Sequence, residues 1–121
     1  MRVLVTGSTT WTDRQALRRE LAALPAGSVI VTGDTQGIDA MAIALAAELG
    51  FGAEPMKKNQ ADRLAHPQAS WKGLNERMLA TGIDLVLAFH ADFGQPGCAR
   101  GTMHMVELAA AAGVEARTFL R

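Results

Sequence analysis

Residues 29–49 read VIVTGDTQGIDAMAIALAAEL, and the fold follows from how this stretch divides. Val29, Ile30 and Val31 are β-branched and apolar, the pattern of a strand covered by helices on both faces. Gly33 breaks the run, and Asp34, Thr35, Gln36 and Gly37 make a short polar turn. Ile38, Met41, Ala42, Leu45, Ala46 and Leu49 then recur at helical spacing until Gly50 ends the pattern. Such a strand–loop–helix junction aims the free N–H groups of a helix start at the carboxyl edge of a sheet, where an anion can sit. A plain α/β connection has the same form, so this stretch alone does not separate a binding site from a turn.

Towards the N-terminus, Arg2–Thr6 (RVLVT) is a short apolar run expected as the first, central strand, followed by the small polar loop Gly7–Thr10. Thr12 is expected to open a helix, because Thr12 and Gln15 have the capping-box spacing and Asp13 suits the positive end of the dipole. Leu17, Leu21 and Leu24 form its buried stripe, and Pro25 with Gly27 stops it.

Towards the C-terminus, Phe51–Met56 reads as a weak third strand. Lys57–Trp71 is polar and irregular, and a segment this long is expected to be a mobile lid or binding loop with part of it in a helical turn. Gly73–Ala80 is a short helix with Leu74 and Met78 inward, and Asp84–Phe89 is the second clear strand. The loop His90–Thr102 leads into a helix from about Thr102 to Ala112, and Val114–Leu120 is the last strand, at an edge.

Strands alternating with helices predict a Rossmann-like α/β three-layer sandwich with a five-stranded parallel sheet of order 3-2-1-4-5, residues 1–121 forming one domain. Ligands of such sheets bind beyond the strand carboxyl ends, where strand order reverses. That point falls between the first and fourth strands. The loops Gly7–Thr10, Gly33–Gly37 and His90–Thr102 then converge on one crevice. This convergence favours a binding site over ordinary turns, which no single loop does.

Twelve Lys and Arg balance twelve Asp and Glu in the 121 residues, so there is no electrostatic footprint for duplex nucleic acid or an anionic membrane. Hydrophobic residues make up 49% and aromatics only 5%, which predicts an aliphatic, Ala-rich core. No apolar run is long enough to span a bilayer, and no signal peptide precedes the first strand. The single cysteine, Cys98, rules out an internal disulfide and fits a reducing cytoplasm.

The segments VTGSTTWTD, VTGDTQGIDAMA, GLNERMLATGIDLVLAF and ARGTMHMVELAAAAGV, in this order and spacing, resemble the YspA-like (YpsA-related) branch of the SLOG superfamily over nearly the whole chain. That superfamily also holds the LOG phosphoribohydrolases and the Rossmann domain of DNA-processing protein A. The resemblance implies a Rossmann-like domain that binds a nucleotide or nucleotide-derived, possibly signalling, ligand, often as a homodimer. Residue by residue, it implies ligand contacts at Gly7, Ser8 and Thr9, and at Gly33, Asp34, Gln36, Gly37 and Asp39, with Thr35 inside the same loop. Asn75 matches the polar residue of the short helix, and Arg100, Gly101 and Thr102 match the glycine-threonine phosphate loop. Relatives commonly carry Arg where this chain has Thr9, Gln36 and Leu74, and Asp34 would repel a phosphate, so Arg100 is expected as the one clear cationic clamp of the converging loops.

Other chemistries find less support in the residues. A LOG-type N-glycosidic hydrolase places a catalytic Glu just after its Gly-Thr, where this chain has Met103, His104 and Met105. Its remaining acid–base candidates are Asp34, Asp39 and His104, and no catalytic residue is assigned. Single-stranded DNA binding would need stacking aromatics, and Trp11 and Trp71 are the only tryptophans. His90, Asp92, Cys98 and His104 lack a metal-ligand spacing, and Cys98 has no base partner, so no metal or resident cofactor is expected. Gly73–Ala80 and the helix after Gly101 are more apolar than small surface helices need to be, which adds to the expectation of a homodimer.

Overall fold

A computed structural model describes all residues, Met1–Arg121. The strands are β1 (Arg2–Gly7), β2 (Val29–Thr32), β3 (Gly52–Pro55), β4 (Leu85–Phe89) and β5 (Glu115–Phe119). The helices are α1 (Arg14–Ala22), α2 (Ile38–Leu49), α3 (Gln60–Ala65), α4 (Ser70–Ala80) and α5 (Arg100–Ala111). The sheet order is β3-β2-β1-β4-β5, and every pairing is parallel, as the sequence predicts.

The alternation of side chains along the central strands sorts them into two cores. Val3, Val5, Ile30, Leu85, Leu87 and Phe89 face α1 and α2, whereas Leu4, Val31 and Val86 face α4 and α5. Burying each such aliphatic side chain is worth roughly 1.5–3 kcal/mol. On the first face Phe89 stacks on Phe119, with centroids 4.6 Å apart, and meets the edge of Trp11 at 5.6 Å. Leu74 and Met78 of α4 and Met105 and Ala109 of α5 are buried together on the second face. Those four residues are therefore used inside the chain, while Leu79, Met103, Val106 and Leu108 of the same helices stay partly exposed. No helix is long and apolar enough to cross a membrane.

The edges carry charge. Arg2 binds Glu54 of β3 through two hydrogen bonds of 3.0 and 2.8 Å, and Arg117 pairs with Glu115 on β5. Charged pairs of this kind discourage strand addition at exposed sheet edges.

Three local expectations are revised. Helix α1 starts one residue later than Thr12 implied, because the Asp13 carboxylate accepts from Ala16 N–H and so acts as N-cap. Helix α5 starts at Arg100 rather than Thr102, after Ala99 turns left-handed at φ 54°. The polar stretch 57–71 is built rather than loose. Within it, α3 is closed by a reciprocal capping box between Asn59 and Asp62, and α4 already begins at Ser70.

Helix α3 is held to α4 by the Asp62–Arg77 ion pair and, at its C-cap, by a 2.7 Å contact between His66 Nε2 and the Glu76 carboxylate. Asp62 is 2% exposed and accepts from Arg77 Nε at 2.8 Å and from Arg77 Nη2 at 2.7 Å. Arg77 Nη2 also donates to the Lys57 carbonyl, which fixes the backbone just before Lys58. These bonds from Arg77 hold the Asp62 carboxyl down at about 2 against the opposing effect of burial. Gly73 allows the close approach, since a Cβ there would lie 2.7 Å from the Asp62 Cα.

Candidate functional site

The switch point between β1 and β4 opens into a cavity of about 430 Å³. Its lining takes Gly7, Ser8 and Thr9 from the first loop and Gly33, Thr35 and Asp39 from the second. Asn75 of α4 and Arg100, Gly101 and Thr102 of α5 complete the predicted set. Asp34, Gln36 and Gly37 are not part of the lining. The structure adds Thr10, Lys58, Trp71, His90 and Ala99, which belong to segments expected at the crevice although not themselves named as contacts, and Val5, Thr6, Leu74 and Met78 also line it. Lys58 means that Arg100 is not the only cation at the crevice.

The first two loops are bound to each other. Gly7 lies against β4, where an added Cβ would sit 2.1 Å from the Phe89 carbonyl oxygen. Ser8 N–H donates to that same oxygen at 2.9 Å. The Ser8 carbonyl accepts from Ile38 N–H at 3.1 Å and from Trp11 N–H. Gly37, at φ 75°, packs so closely on Ser8 and Thr9 that a Cβ would meet their backbone at 2.4–2.5 Å. Gly37 is thus a packing residue. The Ser8 hydroxyl accepts from Thr10 N–H and pairs with the Thr10 hydroxyl, so it is occupied locally.

Asp39 folds back over its own loop. Its carboxylate lies over Gly33, accepts from the Thr35 hydroxyl at 2.8 Å, and is 2.8 Å from the Thr32 hydroxyl, whose other acceptor is the Val5 carbonyl. With the Ser8 carbonyl on Ile38 N–H and the Asp39 carboxylate in the first turn, the start of α2 is supplied with negative partners by the protein itself.

The start of α5 is different. Arg100, Gly101 and Thr102 N–H have no acceptor in the protein, and the first N–H in use is that of Met103, which donates to the Ala99 carbonyl. All three residues line the cavity. Thr102 is 5% exposed, and its hydroxyl has no partner within the chain. The Arg100 guanidinium makes no ion pair and is exposed. Free N–H groups, an unpartnered hydroxyl and a guanidinium around one space form a site for an oxyanion.

Asn75 sets the position of that turn. Its Nδ2 donates to the Gly101 carbonyl at 3.0 Å, which fixes the orientation of the amide. The same Nδ2 lies 3.1 Å from His104 Nδ1, so Nδ1 must be the acceptor and the imidazole is neutral with its proton on Nε2. Burial pushes His104 below its ordinary value, and nearby Lys72 acts in the same direction against Glu76 and Glu107. His104 also meets the Trp71 ring edge-on at 5.5 Å. On the other side, His90 Nδ1 accepts from Asp92 N–H, which leaves Nε2 free. No group of His, Cys, Asp and Glu side chains is arranged to hold a metal ion.

Comparison with known proteins agrees with this fold. The chain is 34% identical to the Gene 61 protein of Mycobacterium phage D29, over 98% of this chain and 95% of that protein. Its fold is similar to the X-ray structure of DNA processing protein A (DprA) from Streptococcus pneumoniae, with a TM-score of 0.71 at 16% identity. That match covers 97% of this chain and 49% of the DprA chain, so the chain spans about half of it. The family model of the YspA, cpYpsA-related SLOG proteins matches residues 1–66, which hold the first two loops and α2. By this match and by its likeness to the phage protein, the chain belongs to the YspA, cpYpsA-related SLOG family (YAcAr).

Proposed function

We propose that residues 1–121 act as one domain that binds a nucleotide or nucleotide-derived ligand, with a phosphate seated on the start of α5. The observation that carries this reading is the set of unpartnered donors at Arg100, Gly101 and Thr102, the Thr102 hydroxyl among them, around one cavity at the switch point. Lys58, also in the lining, supplies a second cation. The ligand-contacting residues are Gly7, Thr9, Thr35, Asn75, Arg100, Gly101 and Thr102, with Gly33, Gly37, Asp39 and the Ser8 backbone holding the loops in place.

A binding role is favoured over N-glycoside hydrolysis. Hydrolysis needs an acid or base free to reach the ribose. Asp39 is spent on Thr32 and Thr35, Asp34 lies outside the lining and His104 Nδ1 is taken by Asn75, so no free carboxylate lines the cavity and the imidazole left free there is that of His90. Trp11 is 7% exposed in the core, so only Trp71 is available to stack on a base, which favours a small molecule over a DNA strand. Self-association is supported by the family and by the outward residues Ala40, Ile43, Ala44 and Ala47 of α2, which are flanked by the exposed Glu48–Arg14 pair. The exposed thiol of Cys98 suits a reducing cytoplasm.

Calorimetry with nucleoside monophosphates, nucleoside diphosphates and a single-stranded oligonucleotide, with product analysis of each mixture, tests the reading. Binding of a nucleotide without turnover is expected. Release of free base would replace it with the hydrolase, binding of the oligonucleotide alone with a DNA module, and a monomer mass in light scattering would remove the homodimer.

A further inference from the structure

A second cavity of about 380 Å³ lies beyond the first, and the two share Trp71 and Arg100 as a common wall. Each is within the range of roughly 300–1,000 Å³ usual for small-molecule sites. The second chamber is an open depression lined by the turn that carries Cys98 and by His104, Glu107 and Lys72. Its chemistry differs from that of the first. The neutral His104 keeps an Nε2–H donor without a partner, Trp71 offers an aromatic wall, and Glu107 supplies an acceptor. A donor, an acceptor and an aromatic surface suit a base or a sugar. The Glu107 carboxylate opposes a further phosphate. The cations lie towards the shared wall, with Arg100 on it and Lys72 Nζ 5.6 Å from the Trp71 ring.

We propose that the site is bipartite and takes a ligand with two ring-bearing halves joined by a phosphate bridge. One half occupies the cavity over β1, the bridge sits at Arg100 and the start of α5, and the second half occupies the chamber beside Cys98 and His104. This rests on the nucleotide reading above and specifies the ligand class for it.

Cys98 is the sole cysteine, is exposed and lines only the second chamber, so its alkylation rate reports occupancy there. The full chain is labelled with a maleimide alone and at saturation with AMP, ADP or ADP-ribose, and affinities are measured by calorimetry. ADP-ribose is expected to bind about tenfold more tightly than AMP or ADP and to slow labelling about tenfold, whereas bound AMP leaves the rate unchanged. Cys98→Trp, which fills the chamber from an exposed turn, is expected to weaken ADP-ribose about tenfold and to spare AMP. Unchanged labelling under bound ADP-ribose, no tighter binding of ADP-ribose than of ADP, or equal losses of AMP and ADP-ribose in Cys98→Trp would overturn the bipartite site and leave the nucleotide reading standing. No binding of any of the three probes would overturn both.

Discussion

Asn75 reaches from α4 to hold His104 of α5, with Nδ2 3.1 Å from Nδ1, while the same amide nitrogen holds the Gly101 carbonyl. A protonated Nδ1 cannot accept this bond. His104 is therefore expected as the neutral tautomer protonated at Nε2, titrating below its ordinary 6.5. A lowered histidine contributes stability that is complete above about pH 6.5 and is lost as pH falls through the folded value. Nitrogen-15 shifts of the ring would check the tautomer. His104→Gln should flatten the pH dependence of stability in that window, and an unchanged slope would remove His104 as its source.

The Asp62–Arg77 pair should govern the order of the segment 57–66. Asp62→Ala leaves Arg77, one third exposed, to find water instead, so the expected cost is about 2–4 kcal/mol, below that of a fully buried pair. The carboxyl is depressed to about 2, so the pair's contribution is full above about pH 4 and fades as pH falls towards 2. Denaturant melts should show both effects. Hydrogen exchange should find α3 protected in the native chain and opened in the variant, and fast exchange of α3 in the native chain would contradict the anchoring.

Arg100→Ala should leave the melting temperature unchanged, because the side chain makes no ion pair, and should weaken nucleotide binding. A charge-assisted hydrogen bond is worth about 1.5–3 kcal/mol, so the loss is roughly tenfold to a hundredfold. Lys58→Ala should act in the same direction and less strongly, since Lys58 lies at the mouth. Calorimetry with ADP decides both.

Restoring arginine should succeed at one position and fail at two. Thr9 is exposed and lines the cavity, so Thr9→Arg should tighten ADP binding. Gln36 lies outside the lining, and Gln36→Arg should change nothing. Leu74 is 7% exposed in the second core, so Leu74→Arg should destabilise the fold through a buried charge. Equal tightening by Thr9→Arg and Gln36→Arg would show that the loops move together on binding.

Gly7→Ala and Gly37→Ala should each destabilise by about 1–3 kcal/mol or more, since each added methyl meets backbone that cannot rotate away. Gly97→Ala has open space around its Cβ and should cost only the strain of its φ of 75°. Thermal melts would rank the three.

The sheet was legible because β-branched runs such as Val29–Val31 and the runs around Leu4 and Val86 announce buried strands directly. The convergence of the three loops followed from strand order alone. What stayed hidden depends on contacts across the chain. Nothing local tells that Asp62 will meet Arg77, so a six-residue polar helix with little apolar periodicity looked like loose chain. The left-handed turn at Ala99 has no glycine to mark it, and α5 was placed two residues late. Thr12 and Asp13 are both good caps, and the carboxylate one residue further on prevailed. Lys58 was read as part of a mobile lid, and only the grip of Arg77 on the Lys57 carbonyl puts it at the crevice.

The Ser8 carbonyl, which receives Ile38 N–H, has a consequence for how the second loop accommodates an aspartate and no cation. A helix start that already holds an oxygen of its own does not depend on a ligand for electrostatic balance. The glycine-rich second loop can therefore drift in sequence, with aspartate and glutamine at its tip, while its shape is kept by Gly37 and Asp39. If the proposed ligand binds, selection for its chemistry is then concentrated on the fifth helix, whose first turn has no internal substitute. Among natural variants of this chain, changes at Asp34 and Gln36 should be frequent and mutually independent, and changes at Gly101 and Thr102 should be rare.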